Sequence, residues 1–428
     1  MKIEQIYTGC LAQGAYYIES NGEAAIIDPL REVQPYIDMA ESRGATIKYI
    51  LETHFHADFV SGHVTLAHKT GAPIIYGPNA NPSFDATIAT DGQEFKLGNV
   101  TIKVLHTPGH TMESTTFLLL DEKGKEHAIF SGDTLFLGDV GRPDLAQKAA
   151  SMTQEDLAGI LYESLRSKIM TLPDETIVYP GHGAGSACGK NMSKETVGSI
   201  GDQKATNYAL RADMSKEEFI KEVTDGLMAP PAYFPLNVKL NKEGYKDVQE
   251  VLDRGETKMS PAAFEVAANE TGAVVLDVRD PLTFGSAHIP RSINIGIDGS
   301  FAPWVGALIR DIEQPILLVA EEDRIPEVIT RLSRVGFDNI IGYLEGGIDA
   351  WKDAGKEIDT VESIKGEEFA KRIAAHEGPV FDVRKQSEYL SEHVIDAENT
   401  PLDELNDHLA EFPKDGIFFI HSAGGYRS

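Results

Sequence analysis

Lys48-Tyr-Ile-Leu-Glu52, followed at once by Thr53-His54-Phe55-His56-Ala57-Asp58, is the stretch on which the fold turns. An apolar run of strand type ends, and three ligand-type side chains come directly after it. A His-x-His spacing on extended chain aims both rings to one side, because side-chain direction repeats every two residues. The pattern recurs: His106-Thr-Pro-Gly-His110 after VTIKVL, Ser131-Gly-Asp133 after HAIF, and Tyr179-Pro-Gly-His182 after TIV. Four strand ends thus deliver His or Asp in one order, which points to a metal site rather than to isolated polar residues.

Working outward, short β-rich runs recur from Lys2 to about Leu120: AYYIES, AAIID, IKYILETH, APIIYG, VTIKVLH and STTFLLL, separated by Gly, Pro and Asn turns. Between them VQPYIDMAESRG and GHVTLAHKTG have helical character and end at a Gly suited to a helix C-cap. This is the pattern of a layered α/β sandwich with its chemistry at strand ends. Residues 203–228 read as mostly helical, and PPAYFP marks a boundary.

A second pattern starts near Ser260. AVVLDVRDPLTFGSAHIPRSINI (273–295) is echoed by GPVFDVRKQSEYLSEHVIDAENTPL (378–402), an internal repeat. In each copy a strand ends at Asp-Val-Arg, and a second apolar strand follows, PILLVA and GIFFIH. Strand, crossover helix, strand is the grammar of a parallel sheet. Domains are expected at 1–248, 256–356 and 360–428, with linkers near 249–259 and 355–362.

The chain of 428 residues is long enough for several cores, and 42% hydrophobic with 25% charged residues is ordinary globular composition. A formal charge of −28, from 67 acidic and 39 basic residues, argues against a nucleic-acid or anionic-membrane partner. No run approaches the roughly 18 apolar residues of a membrane span. The N-terminus lacks the layout of a secretion signal and reads as two strands. Cys10 and Cys188 are the only cysteines, too few for a disulfide framework, so a cytoplasmic location is expected.

The His/Asp constellation resembles the metallo-β-lactamase superfamily, whose motif is His-x-His-x-Asp-His with a later His, a bridging Asp and a last His. One departure is informative. Phe59 stands where the dinuclear hydrolases have His, and a phenyl ring cannot ligate, so a single metal is favoured. Two imidazoles and one carboxylate on one face leave open positions, the arrangement of non-heme Fe(II); zinc with a water is the alternative.

Within the superfamily the chain is most similar to persulfide dioxygenases, through Thr53-His54-x-His56-Ala57-Asp58, His106-Thr-Pro-Gly-His110-Thr, Ser131-Gly-Asp133-Thr and Gly138-Asp-Val-Gly-Arg142-Pro-Asp144-Leu. The resemblance implies one Fe(II) per chain on His54, His110 and Asp133, with His56, Asp58 and His182 orienting ligands or contacting waters. It implies oxidation of a low-molecular-weight persulfide by O2 to sulfite and thiol, and a homo-oligomeric enzyme is expected. Arg142 could hold a substrate carboxylate, or form a structural ion pair with Asp139 or Asp144. Cys188, in Gly-Ala-Gly-Ser-Ala-Cys-Gly-Lys, could position a sulfur near the metal or be a buried filler. Cys10 is assigned to packing on a strand.

The repeats resemble rhodanese sulfurtransferases, through Leu276-Asp277-Val278-Arg279 and Ala287-His288-Ile289-Pro290-Arg291-Ser292-Ile293-Asn294. That chemistry needs a Cys in a loop of inward N–H groups. The first copy has Ala320-Glu321-Glu322-Asp323-Arg324 there, with no Cys, and is expected to serve as a spacer or docking surface. The second ends in His421-Ser422-Ala423-Gly424-Gly425-Tyr426-Arg427-Ser428, the shape of Cys-x-x-Gly-x-Arg with Ser422 at the nucleophile position. The two glycines would let amides turn inward, and Arg427 would neutralise a bound anion. A Ser hydroxyl without a base cannot accept sulfane sulfur. The intact Gly-Gly-x-Arg favours a Cys→Ser replacement over a drifted loop.

The expected architecture is α/β: an N-terminal αββα metallo-β-lactamase sandwich followed by two rhodanese-like parallel-sheet domains, the second incomplete at its C-terminus. The leading functional expectation is a persulfide dioxygenase whose Cys-containing form passes sulfur to sulfite, giving thiosulfate. A zinc thioester hydrolase of the glyoxalase II kind and a non-catalytic sulfur-relay scaffold are the alternatives.

Overall fold

The structure, a computed structural model, describes residues 1–227 and 229–428, with the side chains of all of these but Lys148 and Ala149. The chain forms two compact units, Met1–Val248 with Arg334–Gly336 and Gln249–Ser333 with Phe337–Ser428. No helix among the described residues is long and apolar enough to cross a membrane.

The first unit holds two six-stranded sheets. Strands β1 (Lys2–Thr8), β2 (Gln13–Ser20), β3 (Glu23–Ile27), β4 (Thr46–Leu51), β5 (Ile74–Tyr76) and β6 (Thr87–Ile88) lie in that order in one sheet. The other runs β7 (Glu94–Leu97), β8 (Val100–His106), β9 (Thr115–Leu120), β10 (Glu126–Gly132), β11 (Ile177–Pro180) and β12 (Gly198–Ser199). Period-two alternation explains the layering. Tyr16, Ile18, Ala25 and Ile27 of the first sheet pack against Val104, Phe117, Leu119 and Phe130 of the second. Their neighbours Ala15, Tyr17, Ala24 and Ile26 face outward, onto Tyr36 and Leu66 of the helices Gln34–Ser42 and His63–Thr70. On the opposite side Leu118 and Ile129 meet Leu161 of the helix Gln154–Ser164, which starts at a Thr153/Asp156 capping box. The result is the expected αββα sandwich.

Two local expectations change. Cys10 lies in the turn between β1 and β2, half-buried, rather than on a strand. The presumed linker 249–259 is largely regular structure, the helix Val248–Gly255 and β13 (Lys258–Met259), because Val248 and Val251 fall on one helical face and are buried.

In the second unit β13, β14 (Val274–Asp277), β15 (Ile293–Asn294), β16 (Ile316–Val319) and β17 (Ile340–Leu344) form a parallel sheet of order β13-β17-β16-β14-β15. Strands β18 (Val380–Asp382), β19 (Glu398–Asn399) and β20 (Phe419–His421) repeat the β14, β15 and β16 positions in a parallel three-stranded sheet. The shared signature proves to be a structural lock. Asp277 accepts from the backbone and guanidinium of Arg279, and Asn294 donates to the carbonyls of Asp277 and Arg279. Asp382, Arg384 and Asn399 make the same set of bonds. Asp-Val-Arg and the later Asn thus tie the end of one strand to its parallel neighbour in both copies.

Candidate metal centre

The ends of β4, β8, β10 and β11 meet at one edge of the sandwich, so residues far apart in sequence converge. His54, His110 and Asp133 form one compact group, His56, Asp58 and His182 a second, and Asp133, His182 and Cys188 a third, all buried. Asp133 is the shared member. Its Oδ2 lies 3.5 Å from His110 Nε2 and 3.8 Å from His54 Nε2, and its Oδ1 lies 3.6 Å from His182 Nε2.

The imidazoles are oriented from behind. His110 Nδ1 donates to the Arg142 carbonyl at 2.9 Å, and His182 Nδ1 to the Ala12 carbonyl at 3.2 Å. Thr53 Oγ1 donates to Asp28 Oδ2 at 2.8 Å, which leaves its oxygen to accept from His54 Nδ1 at 3.0 Å. The Nδ1 of each ring is thus engaged from behind, and its Nε2 is the nitrogen that faces Asp133, the orientation a metal ligand requires. Burial, then the neighbouring imidazoles, push His54 well below its usual range and keep it neutral.

These residues fit a cation. Both Asp133 oxygens, His182 Nε2 and Asp58 Oδ1 are buried without a hydrogen-bond partner, an expensive arrangement unless something positive joins them. Burial opposes charge on His182, yet the Asp58 and Asp133 carboxylates hold its pKa well above the ordinary value. Positive charge is favoured at that point.

Two consequences are measurable. Thr53→Val removes the hydroxyl between Asp28 and His54 at nearly constant volume, and metal affinity is expected to fall about 10–100-fold in chelator competition; unchanged affinity would show that the chain does no orienting. Gly132, just before Asp133, has φ +49° and a Cβ there would lie 2.5 Å from Thr53 Oγ1. Gly132→Ala is expected to lower stability by about 2–5 kcal/mol, from left-handed strain plus overpacking, read from urea unfolding.

Arg142 is engaged within the fold. Its Nε and Nη2 donate to the two Asp144 oxygens at 2.7 Å each, and Nη1 donates to the Ala187 carbonyl at 3.2 Å. Of its two expected roles, the ion pair with Asp144 is the one formed, and the guanidinium fork is not presented as an open clamp. Its backbone N–H donates to the Cys188 carbonyl, tying the Cys188 loop to the ligand loop. Burial, then the Asp58 and Asp133 charges, push the Cys188 thiol up to about 12, so it stays protonated at neutral pH.

Four neighbours were not foreseen. Asp28 ends the AAIID run and follows the same strand-end rule as the ligands. Glu52 directly precedes the motif, and burial followed by the Asp28 charge raises its pKa well above the carboxylate range. Tyr233, in the PPAYFP segment, is buried, and after burial the charges of Asp58 and Cys188 raise its phenol pKa further. Asn241, on the helix Phe234–Glu243, donates to the carbonyls of His56 and Phe59 at 2.8 and 2.7 Å and accepts from Ser61 N at 2.8 Å. It fixes the loop that carries the motif.

In the second unit the Ser422 loop is partly formed. Gly425 N donates to Ser422 Oγ at 3.1 Å, while Gly424 is exposed. Arg427 differs from expectation: its Nη1 and Nη2 donate to the two Glu388 oxygens at 2.8 and 2.9 Å, so its charge is already met. In the first copy Arg324 is paired with Asp298 and Glu327, and Glu322 accepts from Gly346 N.

Known proteins share both parts of this architecture. Residues 8–182 match the metallo-beta-lactamase superfamily and residues 260–354 the rhodanese-like domain. A probable hydroxyacylglutathione hydrolase of Schizosaccharomyces pombe is 32% identical over 167 residues, 38% of this chain but only 60% of the hydrolase. The human mitochondrial persulfide dioxygenase is 29% identical over 201 residues, 46% of this chain and 70% of that protein. A crystal structure titled metallo-beta-lactamase from Staphylococcus aureus is 33% identical with a TM-score of 0.71, covering 80% of this chain and 98% of that one. With that fold, coverage and convergent His/Asp edge together, the chain belongs to the metallo-beta-lactamase superfamily and carries a rhodanese-like domain after it.

Proposed function

We propose that the first unit is a non-heme iron persulfide dioxygenase acting on a low-molecular-weight thiol persulfide of the glutathione persulfide kind. The observation that carries this reading is the donor set: His54, His110 and Asp133, two imidazoles and one carboxylate, converge in one buried group, and three protein donors on one ion would leave its remaining positions for ligands. One iron per chain would supply the joint activation of O2 and the persulfide sulfur. The outer sulfur takes both atoms of O2 and one oxygen from water, leaving as sulfite; the inner sulfur leaves as the thiol, and two protons are released.

The chain's own groups have defined tasks in this reading. The Thr53 hydroxyl and the Arg142 carbonyl hold the His54 and His110 rings, so little reorganisation remains when substrate arrives. Cys188 and Tyr233, buried and protonated beside Asp58, offer S–H and O–H donors to a sulfur or oxygen anion. The rhodanese-like unit suits a partner reaction on the same sulfur: with a thiol at position 422 it would pass sulfane sulfur to sulfite, giving thiosulfate.

The second reading, a zinc thioester hydrolase, draws on the His56–Asp58–His182 group and on similarity to hydroxyacylglutathione hydrolases. One experiment separates the two. Iron-loaded protein is given glutathione persulfide and oxygen uptake is followed; zinc-loaded protein is given a glutathione thioester and cleavage is followed anaerobically. Oxygen uptake with sulfite release is the expected result. Thioester cleavage with no uptake on any low-molecular-weight persulfide would overturn the proposal.

A further inference from the structure

We propose that His182, Cys188, Asp58 and the Oδ1 oxygen of Asp133 form a second cation site, suited to a thiophilic divalent ion such as zinc or cadmium. It uses the other oxygen of Asp133 from the one that faces His54 and His110, so it does not rest on the iron reading.

The separations are those of co-ligands rather than of hydrogen-bonded pairs. Asp58 Oδ2 lies 3.4 Å and Asp133 Oδ1 3.6 Å from His182 Nε2, and that nitrogen has no hydrogen-bond partner. Two N or O donors bound at about 2.0–2.1 Å to one tetrahedral zinc stand about 3.3 Å apart. Cys188 belongs to the same group: its sulfur and the ligand atoms of His182 and Asp133 lie within 4.8 Å of one another. Asp133 Oδ1 and Asp58 Oδ1 are buried without a partner as well. Three of the four residues thus turn unpartnered, buried polar atoms to this place, which is costly unless a cation joins them.

Cys188 supplies what Phe59 withholds. Phe59 has no donor atom, and a thiol arrives instead from the loop after β11. Its position is fixed through the backbone: the Cys188 N–H donates to Ser186 Oγ at 3.1 Å, and its carbonyl accepts from Arg142 N at 3.1 Å. The Arg142 carbonyl holds His110, so one residue braces a donor on each side of Asp133. The charges also suit a dication. A coordinating ion displaces the thiol proton, and the resulting thiolate and Asp58 carry two negative charges besides that of Asp133. Sulfur beside an imidazole and carboxylates favours zinc or cadmium over hard ions such as magnesium or calcium. An ion here and an S–H donor at Cys188 exclude one another.

The test is an anaerobic titration of the metal-free full chain with cobalt(II) and, separately, cadmium(II), following thiolate-to-metal absorption in the near ultraviolet and bound metal per chain. The native protein is compared with Cys188→Ser, Cys188→Ala and Cys10→Ser. The native chain is expected to show the thiolate absorption and to bind two equivalents. The Cys188 variants should lose the absorption and one equivalent and keep the other, which also shows that they have folded; Cys10→Ser should behave as the native chain. Because the sequence holds only these two cysteines, absorption that persists in Cys10→Ser assigns the donor to Cys188 without recourse to a Cys188 variant. A native chain without thiolate absorption for either metal overturns the proposal, and so does absorption that survives in the Cys188 variants. Oxygen uptake by the iron-loaded chain is a separate measurement, so failure of the dioxygenase reading is distinct from failure of this site.

Discussion

Asp133→Ala is expected to bring bound metal to background and to lower turnover by more than about 100-fold, the upper end of the loss when only a ligand's supporting partner is removed. The reason is its place between the groups. One carboxylate faces His54 and His110 with Oδ2 and His182 with Oδ1, so its loss dismantles both sides of the centre. The same substitution has an unusual signature in stability. In the metal-free chain Asp133 is a buried carboxylate with no hydrogen-bond donor, an arrangement that costs free energy. Metal-free Asp133→Ala should therefore melt no lower than the metal-free native chain. Metal raises the melting temperature of the native chain by mass action, about 2.7 kcal/mol at a hundredfold excess over Kd, and should not raise that of the variant. Retained metal would sink the assignment, and a metal-free variant that melts well below the native chain would make Asp133 a structural residue.

How much of this was legible beforehand depends on whether the signal was local. The strand-end rule found His54, His56, Asp58, His110, Asp133 and His182, because each lies within a few residues of an apolar run. The same rule would have found Asp28 had AAIID been read for its last residue. Asn241 carries no such mark; it meets His56 across 185 positions of sequence, and nothing near it distinguishes it from a surface Asn. Arg427 was misjudged for the same reason: Gly-Gly-x-Arg describes a loop, but Glu388, 39 residues upstream, takes the guanidinium. The short strands β6 and β7 were missed, since two to four residues are too few for alternation to show. The repeated Asp-Val-Arg was correctly seen as a repeat. Its meaning as a strand lock emerged only when Asn294 and Asn399 were found bonded to it in the same way.

Ser422→Cys is expected to raise thiosulfate-to-cyanide sulfur transfer from background by about 10³-fold or more, because a Cys thiol is already a few per cent ionised at pH 7 and is intrinsically far more nucleophilic than a hydroxyl. The Gly425 N–H that now donates to Ser422 Oγ would donate to the thiolate in its place. The gain should nevertheless be incomplete. Hydrogen bonding to Arg427 holds the Glu388 carboxyl down at about 2, so this pair remains closed at any ordinary pH and the loop lacks a free positive charge. The new thiol should consequently titrate near the usual 8.5 rather than at the depressed values of reactive cysteines. Adding Glu388→Gln removes the competing anion and leaves Arg427 to the thiolate. The sign is therefore a lower thiol pKa in the double variant than in Ser422→Cys alone, with faster alkylation by iodoacetamide at pH 7. Cys188 does not obscure the measurement, since it is buried and protonated. If Ser422→Cys forms no persulfide with thiosulfate, the loop is not a sulfur cradle; if Glu388→Gln leaves the pKa of the introduced thiol unmoved, Arg427 has no part in it.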